Sequence, residues 1–318
     1  MNNLNSHLQT KYFTSKRKHN QISVDELIMN RQKKVRVQTQ KVNLALIKHL
    51  HEFKSEKIII KEIDSMFCHT FAEYLINEKK LKISSATTYL QKLHAVLQEA
   101  VYLNYIPSNP MPPIARLLPK HIKIERACLT VEEIQKMERT ECRHELTKLA
   151  FLFSCYTGLR LSDIETLKWE NIQKHNSFYM LIKIQVKTNN EVRIPLSKQA
   201  IDIIKYIKES NLHKGDIIFP LHSRTTIYSD LRKWAKDAKI NKHITFHVSR
   251  VSFVTISISA GINLYVISKF CGHKDIKTTQ IYARMVDRTY IDAVAMFENL
   301  FKHKKTKQKS MPKVELLL

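Results

Sequence analysis

The chain has 318 residues, 43% of them hydrophobic and 26% charged, which suits a folded protein with a sizeable core and, at this length, two domains. It carries 53 Lys and Arg against 29 Asp and Glu, a net charge of +24 that favours a polyanionic partner, nucleic acid first, because basic side chains neutralise phosphates and release their counterions. Zinc-finger spacing is excluded: the five cysteines (Cys68, Cys128, Cys142, Cys155, Cys271) are scattered with no C-x-x-C pair. There is no apolar signal core after Met1 and no run of 18 apolar residues. The expectation is a soluble, cytoplasmic protein with no membrane segment.

Residues 1–40 hold eight Lys/Arg and two Asp/Glu, and the first 20 are polar, as in a partly flexible basic extension. Over 24–53, Leu27, Ile28, Val42, Leu46, Ile47, Leu50 and Phe53 fall at helical offsets. Asp64 is placed to cap a helix running to about Lys79. The stretch SSATTYLQKLHAVLQEAVYLNYIPSNP reads as a helix capped by Ser84 or Ser85, with an apolar stripe of Tyr89, Leu93, Val96, Leu97, Ala100 and Val101. Five of the eight prolines then crowd into 107–119, which marks a linker at about 106–126.

A second domain opens with Thr130 and Glu133 at capping-box spacing, followed by a helix over about 144–156. Ser162 and Glu165 repeat that spacing just after TGLR. In SFYMLIKIQV, Phe178, Met180, Ile182, Ile184 and Val186 alternate with other residues as in an amphipathic strand. KTNNEVRIPL turns back from it as a hairpin through Asn189-Asn190. Helices are expected at 197–210, 225–238, 247–260, 263–270, 276–285 and 287–301, and the tail KHKKTKQKSMPKVELLL is a basic spacer with an apolar tip.

The chain has only four glycines, and Gly158, Gly261 and Gly272 each punctuate a stretch rich in chemistry, where a positive φ is the natural demand. Arg160 lies two residues after Gly158, just before a capped helix, so it either pairs with Asp163 or stands as a preset anion clamp. His247 and Arg250 share one helical face, where they can grip one phosphate or form a solvated helix start. Lys187 lies in the hairpin, and His273 and Tyr282 stand nine residues apart in GHKDIKTTQIY. Two Arg, one Lys, two His and one Tyr, without paired acids or a metal cluster, suit phosphoryl transfer without a metal or other cofactor. Guanidiniums supply positive charge, a phenol supplies the nucleophile, and a Lys or His protonates the leaving alkoxide.

TGLRLSDIETLKW, VKTNNEVRIPL, ITFHVSRVSFVT and SKFCGHKDIKTTQIYARM, in this order and spacing, resemble the tyrosine recombinases, or phage-type integrases, over roughly residues 40–300. TTYLQKLHAVLQEAVYLNYIPSNP resembles that family's core-binding domain. The resemblance implies a mostly α fold with a small antiparallel β-sheet. Residues 1–40 would be the extension, 41–118 a helical, SAM-like core-binding domain, 119–302 the catalytic domain and 303–318 a basic tail. It implies that Arg160 and Arg250 bind the scissile phosphate and that Lys187 protonates the leaving 5′ oxygen. His247 would move the tyrosine's proton, His273 would donate a hydrogen bond to the phosphate, and Tyr282 would form a 3′-phosphotyrosyl link. Tyr290 is a weaker candidate because it lacks the TTQIYA context. Many family members carry a second histidine directly after the H-x-x-R arginine, where this chain has Val251.

The resemblance implies site-specific recombination of double-stranded DNA, in integration or excision of a mobile element, by a homotetramer with possible accessory DNA-bending proteins, in a nucleoid-associated protein of prokaryotic, phage or mobile-element origin. The 287–301 helix, with Ile291, Val294, Met296, Phe297 and Leu300, would be donated to a neighbouring subunit. The alternatives are a type IB-like topoisomerase and a non-catalytic DNA-binding regulator of the same fold.

Overall fold

The computed structural model describes residues 22–32, 36–120, 127–210, 212 and 215–283. The expectations for 1–21, for the 287–301 helix, for Tyr290 and for the 303–318 tail fall outside these residues. Two compact units divide the chain, Met1–Ile124 and Glu125–Leu318.

The first unit is helical: α1 Val24–Gln32, α2 Val37–Phe53, α3 Ser65–Glu73, α4 Ile83–Tyr102 and α5 Ile114–Leu117. Asp64 caps α3 as expected, its carboxylate accepting from the Phe67 N–H at 2.7 Å. A π-helical turn, Tyr74–Glu78, continues α3. The stripe of α4 is buried at Leu93, Val96, Leu97 and Ala100, with Leu90 added, while Tyr89 and Val101 pack at its margin. The cap of α4 differs from expectation. The helix starts after Lys82, with Ser84 and Ser85 inside its first turn and no side-chain cap. There the Lys82 carbonyl already takes the Ser85 and Ala86 N–H groups at 2.8 and 3.1 Å, so the backbone begins the helix without a serine oxygen. Val24, Leu27 and Ile28 of α1 join the same core, on the amino-terminal side of the boundary expected at residue 41.

In the second unit, Thr130 and Glu133 form both halves of a capping box at the start of α6, Val131–Arg139. Helix α7, Glu145–Thr157, is apolar on nearly every side and runs through the core. Phe151 meets Trp234 and Phe246 edge-on, at centroid distances of 5.7 and 5.8 Å. The Trp234 indole N–H donates to the Met137 and Thr140 carbonyls, so its polar atom is satisfied inside the core. Next come α8, Leu161–Ile164, and the sheet strands β1 Ile172–Lys174, β2 Tyr179–Ile184 and β3 Glu191–Pro195, antiparallel in the order β1-β2-β3. Helices α9 Lys198–Glu209, α10 Arg224–Asp237, α11 Phe246–Ser259, α12 Leu264–Cys271 and α13 Lys277–Ala283 complete the described unit.

The fold class is the expected one, mostly α with a small antiparallel sheet, but two local readings are corrected. The Ser162/Glu165 capping box does not form. Arg160 is the cap residue of the one-turn α8, with no side-chain cap, and the Glu165 carboxylate takes two hydrogen bonds from Arg224 instead. The alternation along β2 is real, but its buried positions are Leu181, Lys183 and the following Gln185, while Phe178, Ile184 and Val186 are exposed. Partners explain the inversion: Lys183 Nζ donates to the Thr166 carbonyl at 2.7 Å, and Gln185 is hydrogen-bonded on both ends of its amide. Among the described residues no helix is long and apolar enough to cross a membrane.

Candidate active site

Helix α7 ends at Gly158, whose φ of +70° reverses the chain, and a Cβ there would come within 2.6 Å of the Phe253 ring. The reversal sends Leu159 into the core and brings Arg160 to the first turn of α8 with its side chain partly exposed. The Arg160 Nη1 donates to Gln185 Oε1 at 2.8 Å. Asp163 Oδ2 lies 3.9 Å from the same nitrogen without a hydrogen bond, and its other oxygen accepts from the Val186 N–H at 2.8 Å. Of the two readings of Arg160, the ion pair with Asp163 is present but loose, while the guanidinium's hydrogen bond goes to Gln185. Burial, then the neighbouring charge of Arg250, pushes the Arg160 pKa below the usual arginine range.

Arg250 is 3% exposed, which rules out a solvated helix start at that residue. It sits four residues after Phe246 on α11 and reaches across the fold, Nη1 donating to the Gly158 carbonyl at 2.5 Å and Nη2 to the Cys271 carbonyl at 2.7 Å. Nη2 also lies 2.7 Å from His273 Nε2. A guanidinium can only donate, so Nε2 accepts and the imidazole proton sits on Nδ1, where it donates to Thr279 Oγ1 at 2.8 Å. Burial, then Arg250, Arg160 and His247, pushes the His273 pKa down to about 4, so the ring is neutral at pH 7.

His247 is exposed on the first turn of α11 and lies within electrostatic reach of His273. Lys187 is exposed in the turn between β2 and β3, one residue beyond the Val186 N–H that bonds Asp163. Tyr282 is 3% exposed on α13, packed in a cluster with Val251, Val254, Ile258, Ile267 and Cys271, and its phenol is close enough to bear on the charge of Arg160. Val251 thus packs beside Tyr282 in a position the resemblance associates with a histidine.

The structure therefore gathers Arg160, Arg250, His247, His273 and Tyr282 around one centre and hangs Lys187 on an adjoining turn. The sequence reading missed two residues at that centre. Thr279 is fully buried and orients the His273 ring, and Gln185 is 1% exposed and holds Arg160. Gln185 was legible as a polar residue in phase with Leu181 and Lys183, two positions before Lys187, once the buried face of β2 was known.

Two guanidiniums, imidazoles and a phenol brought together from distant parts of the chain make a centre suited to attack on a phosphate ester. The comparisons point to the same class. A model of the phage integrase family matches residues 128–288, and one of the phage integrase SAM-like domain matches residues 9–122. The chain is 31% identical over 187 residues to the tyrosine recombinase XerA of Saccharolobus solfataricus, across 58% of this chain and 60% of that protein. It is 23% identical over 256 residues to the XerD of Shewanella oneidensis, across 75% of this chain and 83% of that one.

Among solved structures, the Tn1549 transposon integrase in complex with a circular intermediate DNA superposes with a TM-score of 0.69 at 15% identity, covering 88% of this chain and 99% of that one. A lambda integrase dimer bound to a COC′ core site gives 0.66 at 19% identity, covering 86% and 80%. The chain belongs to the phage integrase family. It is a tyrosine-type site-specific DNA recombinase.

Proposed function

We propose that this recombinase cuts DNA by attack of the Tyr282 oxygen on a phosphate held by Arg160 and Arg250. The P–O5′ bond breaks, Lys187 gives its proton to the leaving 5′ oxygen, and a 3′-phosphotyrosyl ester keeps the bond energy for rejoining. His247 takes the phenol proton, and His273 hydrogen-bonds the phosphate. The observation that carries this reading is the Arg250–His273 hydrogen bond within electrostatic reach of Arg160, which in turn lies within reach of the Tyr282 phenol.

In this reading His273 changes role as the phosphate binds. Its Nε2 now accepts from Arg250. An incoming phosphate oxygen competes for the Arg250 N–H and offsets the cationic field, so the ring gains a proton and Nε2 becomes a donor. Tyr282 is 3% exposed, so engagement of DNA also has to bring its oxygen out to the phosphate.

The net charge of +24 supports a duplex DNA substrate gripped through its phosphates. We assign the biological task to integration or excision of a mobile element, performed by a homotetramer on DNA, with accessory DNA-bending proteins where the site requires them. The test is covalent capture: the protein and Tyr282→Phe are expressed in bacteria and denatured, and any DNA still attached is sequenced. DNA joined to the wild type alone and concentrated at one sequence supports the reading. Equal attachment to Tyr282→Phe refutes Tyr282 as nucleophile, and attachment spread over many sequences favours a topoisomerase-like activity.

A further inference from the structure

Gln185 directly follows β2 and is 1% exposed. A buried amide left without partners is destabilising, and this one is well provided. Its Oε1 accepts from Arg160 Nη1 and from Thr188 Oγ1, both at 2.8 Å, and its Nε2 donates to the Cys271 carbonyl at 3.0 Å. The backbone of Gln185 closes the turn that carries Lys187, donating to the Asn190 carbonyl and accepting from the Asn189 N–H, each at 2.9 Å. Gly272 lies so close to the amide that a Cβ there would collide with it. The Cys271 carbonyl also takes a hydrogen bond from Arg250. One side chain therefore touches the Arg160 guanidinium, the Lys187 turn and the Cys271–Gly272 link just before His273.

Packing alone would ask only for volume at this position. The guanidinium, however, has a rival acceptor. Asp163 is fully buried, its Oδ2 has no hydrogen-bond partner, and it lies 3.9 Å from Arg160 Nη1. Without the Gln185 oxygen, Arg160 is drawn towards that carboxylate and away from a phosphate. We infer that Gln185 is a positioning residue for strand cleavage: its amide holds Arg160 off Asp163 and fixes the Lys187 turn against the Cys271–Gly272 link. The inference rests on the roles proposed above for Arg160 and Lys187.

The test is single-turnover cleavage of a nicked duplex bearing the sequence recovered by covalent capture, with DNA affinity and melting temperature measured on the same proteins. Gln185→Met keeps the length and removes the polar atoms. It is expected to slow cleavage about a hundredfold, the scale of a misplacement near 1 Å, with affinity unchanged and only a modest fall in melting temperature from the lost buried hydrogen bonds. Gln185→Glu restores an oxygen to Arg160 and Thr188 and is expected to regain about tenfold, the worth of one hydrogen bond to a charged group. Cleavage by Gln185→Met at the wild-type rate overturns the inference, as does a parallel fall of rate, affinity and melting temperature. Should Gln185→Met fail to fold, Gln185→Glu decides: slowed cleavage with intact affinity supports the inference, and the wild-type rate overturns it. Arg160→Ala is the separate control, and wild-type cleavage by that variant refutes the Arg160 role itself.

Discussion

Lys187 is exposed on a turn whose backbone is tied down on both sides, which is what a proton donor needs when it must reach a leaving oxygen and return. Lys187→Ala is therefore expected to block cleavage of ordinary DNA. A 5′-thiol leaving group, which departs without a proton, should restore it, and absence of rescue in a cleavage assay removes Lys187 from that role. His273 gives a second prediction. Its folded pKa of about 4 lies below the ordinary 6.5, so as the pH falls through 6.5 the unfolded chain takes the proton first. The stability contributed by the neutral ring is present above 6.5 and is lost between 6.5 and 4. Urea unfolding at pH 7 and pH 5 should show a larger loss for the wild type than for His273→Asn. The six candidate residues could be proposed because the motifs that carry them resemble a known family and because Arg, Lys, His and Tyr bring their chemistry in their own side chains. Gln185 could not, because an amide acquires a role only from its neighbours, and those come from residues 160, 188 and 271.

Individual elements show where local rules suffice and where they fail. Asp64 and the Thr130/Glu133 pair cap their helices as spacing predicts, because a cap is decided within four residues. At Ser162 the spacing is present but Glu165 has a better partner in Arg224, 59 residues away, and no window of local sequence contains that competition. The face of β2 was misread for the same reason: an apolar tally points to Ile184 and Val186, yet buried hydrogen bonds outweigh it at Lys183 and Gln185. The three glycines expected at positive φ adopt it, at +70°, +76° and +59° for Gly158, Gly261 and Gly272. Gly272→Ala is strained in its backbone and collides with the Gln185 amide. It should lower thermal stability by about 1 kcal/mol or more and slow cleavage as well, whereas Thr130→Ala should cost about 1 kcal/mol and leave cleavage unchanged. Calorimetry paired with a cleavage assay separates the two effects.

On the scale of the whole molecule, charge was readable from composition before any element was placed. With 53 basic and 29 acidic residues, DNA affinity should fall steeply with salt, log affinity against log salt giving a slope of about −0.9 for each phosphate neutralised. Filter binding from 50 to 200 mM salt checks this, and a flat response removes the electrostatic grip. The arrangement of Tyr282 was not readable in that way, because burial of a phenol depends on how three helices close around it. Its place among Val251, Val254, Ile258, Ile267 and Cys271 makes the proposed nucleophile part of a hydrophobic core. Drawing out a side chain of that size costs about 2 kcal/mol, and every DNA sequence the protein meets imposes the same toll. On the function proposed, only a site that binds tightly enough to exceed it would have its strand broken. On that same proposal the fold would work as a threshold, sparing the many segments a protein of this charge must touch in passing and reserving the cut for the few it holds.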